Sequence, residues 1–212
     1  MSPRAVFLAL ASAAVLAAAE PPAHSVEVTL ERFEANNWRA IDPRMVLKPK
    51  EEIRFQFKST FDGYLYVLNR TPAGEYMWIY PTAEAGTDNR VRPGQTYTVP
   101  ATAGAFTIPD RPGFEVVYWV LSPTVLRDLT IPPAPGTKST LVPRCNDSEL
   151  RSRGACGDTS AGARAPGSTL PKPLAGLQAR ELKVDRKPDS SHIHFTGESN
   201  RSMIYEFWIA HR

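Results

Sequence analysis

IRFQFKSTFDGYLYVLNRTPAGEYMWIYP, residues 53–81, and FEVVYWVLSP, residues 114–123, decide the fold. Short apolar segments alternate with polar positions and are cut by Asp62-Gly63, by Thr71-Pro72-Ala73-Gly74 and by Pro81. Period-two alternation, rich in aromatic and β-branched residues and bounded by Gly and Pro, predicts antiparallel β-strands. Ile53, Phe55 and Phe57 fall on one side of a strand, with Arg54, Gln56 and Lys58 on the other. Residues 64–69 and 114–121 are apolar on both faces, which predicts central strands. Gly74 supplies the positive φ of a hairpin, and Pro81 ends the returning strand by removing a ladder donor.

Working outward, Val26, Val28 and Leu30 alternate with Glu27, Thr29 and Glu31, a half-buried strand. Trp38 and Ile41 suggest a short strand before the Asp42-Pro43 turn. Residues 82–93 read as a polar loop, and short strands are predicted over 96–99 and 104–108. From 132 to 176 the chain is rich in Pro, Gly, Ser and Ala and lacks the apolar periodicity that offsets ordering entropy. That stretch is expected to be a long irregular insertion. Strands resume over 181–185, 191–196 and 202–210, the last with Met203, Tyr205, Phe207 and Ile209 on one face. So apolar a terminal strand must be covered, so residues 177–212 are expected to complete the sandwich begun by residues 20–131. No long segment shows a helical period. The fold class expected is an all-β antiparallel sandwich.

MSPRAVFLALASAAVLAAAEPP, residues 1–22, has a basic start at Arg4, an apolar run over 5–19, and small residues before Glu20 and two prolines. It reads as a signal peptide cleaved after Ala19, residues 1–19, placing the product in the periplasm or outside the cell. The alternative is a membrane anchor, but the run is short against the roughly 20 residues of a span. No other segment could span a bilayer. The chain has 25 Lys and Arg against 22 Asp and Glu, a net charge of +3, with no basic cluster; nucleic acid is not an expected partner. Cys145 and Cys156 are the only cysteines, and in an exported chain they are expected to form a disulfide.

Taken in order, FKSTFDGYLYVLN (57–69), GEYMWIYP (74–81), the glycine of RPGQTYTVP (92–100) and FTIPDRPGFEVVYWVLSP (106–123) resemble the bacterial domain-of-unknown-function family number 4384. That family pairs a G-Y-L-Y type strand with a G-E hairpin, a strand ending in Y-P and a late P-G-x-E strand. The resemblance covers residues 51–123, and the closing EFWIAHR is similar to the last strand of exported, single-domain members. It implies an immunoglobulin-like sandwich acting as a non-catalytic accessory module. It carries over no catalytic residues and no cofactor. The long insertion departs from a minimal member.

Three groups of residues could carry chemistry. His192 and His194 alternate on a strand and would present two imidazoles to one side, a candidate metal pair needing further ligands such as Asp189. The bland reading is a solvent-facing strand opposite Ile193 and Phe195, and it is preferred. Tyr64, Tyr66, Tyr76, Trp78 and Tyr80 form a candidate binding surface, for another protein or for stacking on polysaccharide; cross-strand packing is the competing account. Arg144, Arg151, Arg153 and Arg164 are scattered among acids and read as a solvated loop. Glu115 lies inside the strongest strand as a lone acid without a visible partner, which does not define acid–base catalysis. No hydrolase or phosphate-binding motif is present. The expected function is a non-enzymatic envelope or extracellular module binding another protein. A carbohydrate-binding module is the alternative, ahead of a small hydrolase or metalloprotein.

Overall fold

Alternation along each strand decides which side of each sheet is buried, and two inner faces meet. The structure is a computed structural model that describes residues 24–131, 138–178, 182–195 and 200–212; the expected signal peptide lies outside them. Among the described residues the chain forms β1 (His24–Glu34), β2 (Asn37–Ala40), β3 (Val46–Leu47), β4 (Glu52–Ser59), β5 (Gly63–Arg70), β6 (Tyr76–Tyr80) and β7 (Arg90–Val91). It continues with β8 (Thr96–Val99), β9 (Phe106–Thr107), β10 (Gly113–Ser122), a single-turn helix α1 (Ser148–Ser152) and β11 (Gly162–Arg164). The last strands are β12 (Leu182–Arg186), β13 (Ser191–Phe195) and β14 (Met203–His211).

These strands build two sheets of seven. The first runs β12-β13-β1-β4-β8, with β2 on β1 and β9 on β4. The second runs β11-β14-β10-β5-β6, with β3 on β14 and β7 on β5. The fold is an all-β sandwich. Pairing is antiparallel throughout except between β3 and β14, which run parallel. Strands too short to show a period, such as β7 within the expected loop 82–93, were not readable from alternation.

The core fills the space between the sheets. Trp119 of β10 is fully buried, stacked between Phe57 of the opposite sheet at 5.6 Å and Tyr205 of the neighbouring strand at 5.9 Å. Phe55 meets both Trp119 and Phe207 edge-on. Such offset and edge-to-face contacts add to the area buried. All ten residues of β10 are buried, because its ladder partners are β5 and β14 and both of its faces are covered.

The second cover comes from the stretch expected to be an irregular insertion. Residues 138–178 are described, and of these 170–177, with residues 126–131, lie over the outer face of the second sheet. Leu126, Leu129, Ile131, Leu170, Leu174 and Leu177 pack against Tyr66, Leu68, Val116, Tyr118 and Val120. Sparse leucines suffice because the sheet supplies the other half of the interface, so the segment needs no periodicity of its own. That is why a composition argument assigned it no core.

The two ends of the layer order differ. On one side β11 and β12 close the sandwich: Arg186 on β12 donates from Nε to the Ala163 carbonyl on β11 at 2.8 Å. On the other side β6 ends one sheet and β8 and β9, each paired with β4, end the other; among the described residues no strand pairing joins them, and a cavity opens between the sheets.

Candidate functional site

The open side holds a cavity of about 460 Å³, within the range of ligand sites. β6 turns Met77 and Ile79 toward it, and β4 and β9 supply Ile53, Phe55 and Phe106. Met77 is half exposed, at 51%. β6 ends its sheet, so its outer backbone edge pairs with no strand among the described residues. A register shift in the β5–β6 ladder, between Val67 and Leu68, bends this edge. The rim is the loop after β5, which lies against the start of β10. Gly113 permits that approach, since a Cβ there would sit 2.8 Å from Cβ and Cγ of Pro72.

Polar atoms occur at the floor of this apolar groove. Parity dictates them. Along β10, Glu115 shares a face with Val117, Trp119 and Leu121; along β5, Asn69 shares one with Leu65 and Val67; along β14, His211 continues the Tyr205, Phe207, Ile209 row. All three therefore turn into the sandwich at its end. Asn69 Nδ2 donates to Glu115 Oε2 at 2.7 Å. His211 Nε2 stands 3.7 Å from Glu115 Oε1, an ion-pair distance if the ring is protonated but too long for a hydrogen bond. His211 is fully buried, and neither of its ring nitrogens, nor Asn69 Oδ1, has a hydrogen-bond partner among the described residues. At the rim, Glu75 and Arg111 are exposed and opposite in sign.

The sequence-derived candidates fall elsewhere. Tyr66 and Tyr80 are buried, so they offer no surface in this chain. Tyr64, Tyr76 and Trp78 are half-buried on the outer face under the covering segment. Trp78 packs on Tyr66 at 6.3 Å and donates from Nε1 to the Leu129 carbonyl at 2.6 Å. The Tyr66 hydroxyl accepts from the Leu126 amide at 2.9 Å. Tyr80 donates its hydroxyl to the Asp88 carbonyl, and burial raises its pKa, as does the neighbouring Asp88. These aromatics grip the protein's own chain and form no open stacking platform. Of the two accounts weighed for these residues, the contacts support packing: Tyr64, Tyr66, Tyr76 and Trp78 share a cluster with Leu126, Leu129, Leu170, Leu174 and Leu177, and Tyr80 belongs to the inner core.

His192 and His194 do share one face of β13, with rings 6.4 Å apart. Each meets a different carboxylate, His192 with Glu27 at 3.3 Å and His194 with Asp185 at 3.5 Å. Asp189 reaches His192 through Ser190, whose hydroxyl stands 3.4 Å from both Asp189 Oδ1 and His192 Nε2. Among the described residues no three His, Cys, Asp or Glu side chains converge as a metal site. Cys145 and Cys156 form a disulfide. Of the four insertion arginines, Arg151 donates to the Cys145 carbonyl, Arg153 pairs with Glu149 at 2.7 Å, and Arg164 lies 4.0 Å over the Trp208 ring. Arg144 is anchored by its backbone, whose amide donates to Asp158 at 2.7 Å.

Fold and groove together define a two-sheet sandwich with one closed and one open side. Within it, residues 46–125 match the family model described as Domain of unknown function (DUF4384). The motifs quoted above, within 51–123, lie inside the matched residues, which run from β3 to just past β10. No curated protein and no solved structure matches the chain. Among the described residues, no helix is long and apolar enough to cross a membrane.

Proposed function

We propose that the chain is an exported, non-catalytic sandwich module of the bacterial envelope that holds a segment of another protein in the groove between β6 and β9. The carrying observation is the juxtaposition of an apolar cavity with a strand edge that pairs with no strand among the described residues. An extended segment laid along β6 gains main-chain hydrogen bonds from the edge. It buries alternate side chains in the cavity. The half-exposed Met77 is a side chain such a segment would cover, and methionine adapts to varied partners. Export rests on the reading of residues 1–19. The matched family brings no reaction with it.

A photo-reactive amino acid placed at Met77 tests this in envelopes of the native cells. The expected result is a cross-link to a discrete protein that disappears when Ile79→Arg fills the groove with charge. The same probe at Val142, equally exposed on the covering segment, should not give that product. Identical products from both positions, or none from Met77, would overturn the reading.

A further inference from the structure

The groove floor has more hydrogen-bond acceptors than donors. Glu115 offers two carboxylate oxygens, and Asn69 adds Oδ1, buried and without a donor among the described residues. One bond, from Asn69 Nδ2 to Glu115, is all that these two residues give each other. An ionised carboxylate has about four acceptor positions, so capacity remains. His211 does not fill it, since no hydrogen bond forms at 3.7 Å. The walls above are apolar, with Phe55 and Ile79 among them. Glu75 and Arg111 at the rim offset each other, and Glu115 is the third charged side chain that lines the cavity, with His211 behind it outside the lining. Attraction to an opposite charge is stronger there than in water, because low-polarity walls screen it less.

From this geometry we infer that the groove is a receptor for a basic side chain, lysine or arginine, carried by an extended segment of the partner protein. The inference rests on the groove reading above and adds the chemistry of its occupant. A lysine fits both halves of the site: its methylene stem lies along apolar walls while its ammonium reaches an acceptor-rich end. The ammonium brings three donors to Glu115 and Asn69. An acidic side chain in the same place would meet Glu115 with like charge and is excluded.

Short random peptides displayed on phage and selected on the purified chain read the preference directly. The expected winners carry Lys or Arg at one fixed position flanked by apolar residues in alternate register. A synthetic winner should bind at least about tenfold more tightly than its norleucine counterpart, the loss expected for one charge-assisted contact. Glu115→Gln should bring that ratio close to one; an unaltered near-ultraviolet spectrum of Trp119 checks its fold. The lysine–norleucine comparison on the unmodified chain needs no variant, so a misfolded Glu115→Gln would not rescue the inference. Winners that require Met77 and Ile79 but have no fixed basic position would overturn the charge inference and leave the groove reading standing. Winners indifferent to Ile79→Arg would overturn both.

Discussion

Tyr205 places a phenol oxygen in the core where no group among the described residues accepts its proton. An unsatisfied buried hydroxyl is a cost, so Tyr205→Phe should be neutral or stabilise by up to about 1 kcal/mol in urea unfolding at neutral pH. The pH dependence follows from the same burial. It holds the Tyr205 phenol well above its usual value of 10.0, and burial raises Tyr118 in the same direction. The folded chain thus keeps protons that the unfolded chain releases near pH 10. Stability from these groups is complete below that pH and is lost as pH climbs toward the folded values. Tyr205→Phe should flatten the alkaline loss, measured as urea midpoints at neutral pH and above pH 10. An unchanged slope would assign it to Tyr118 and Tyr80. At this scale the sequence was legible through parity: Tyr205 was expected on the inner face and is there. The same parity, extended to Asn69, Glu115 and His211, would have placed all three inside. They were missed because Glu115 was weighed alone, and its partners come from strands 46 and 96 residues away.

Among the elements, the β1–β2 hairpin turns on Ala35 and Asn36, with φ of 49° and 64°. Left-handed φ at both central positions is what a two-residue hairpin turn with the sheet's own twist demands. Asparagine tolerates it; alanine is strained there. Converting the pair to Asn-Gly, by Ala35→Asn with Asn36→Gly, should stabilise the chain by roughly 1 kcal/mol in a thermal or urea melt. No gain would mean that the register is held mainly by what the hairpin covers, since Glu31 is buried and pairs with Arg54 at 2.6 Å while Arg54 lies 4.4 Å over Trp38. The second such element is α1. Asp147 caps it by accepting from the Leu150 amide at 3.0 Å, and it also takes Arg44 Nη1 at 2.9 Å. Arg44 holds Asp42 at 2.6 Å and Glu149 at 3.1 Å as well, so one guanidinium ties the cysteine loop to the turn before β3. Asp147→Ala should cost roughly 2–3 kcal/mol, combining a lost cap with an uncompensated partner. Asp147→Asn keeps the cap and should recover about 1 kcal/mol of it. Hydrogen exchange over residues 144–158 should rise in the alanine variant alone if the cap dominates. The helix was invisible to periodicity because it is a single turn fixed by contacts distant in sequence, whereas β1 was legible from its alternation and Trp38 pointed to β2.

For the whole molecule, the matched residues 46–125 do not amount to a sandwich. They supply β4, β5, β6, β8 and β10, but each sheet takes a central strand from outside the match. β1 lies between β13 and β4, and β14 lies between β11 and β10. β14 alone pairs along β10 from Gly113↔His211 to Leu121↔Met203, and it buries Met203, Ile204, Tyr205, Phe207 and Ile209. At about 1.5–3 kcal/mol per large buried side chain, this strand contributes on the order of 10 kcal/mol. That rivals the whole net stability of a typical domain. A fragment of residues 46–125 should therefore lack a cooperative melt and aggregate through the bared edge of β10. Adding a synthetic strand of residues 200–212 should reduce the aggregation without restoring a full melt, since β1 is still missing. Residues 24–212 should unfold in one transition. A cooperative melt of 46–125 alone would show that β4, β5 and β10 can close a core without β1 and β14. The outer strands would then be additions to a smaller folding unit, and the groove beside β6, whose lining is drawn almost wholly from residues 53–117 with Ile209 as the exception, should survive in the fragment.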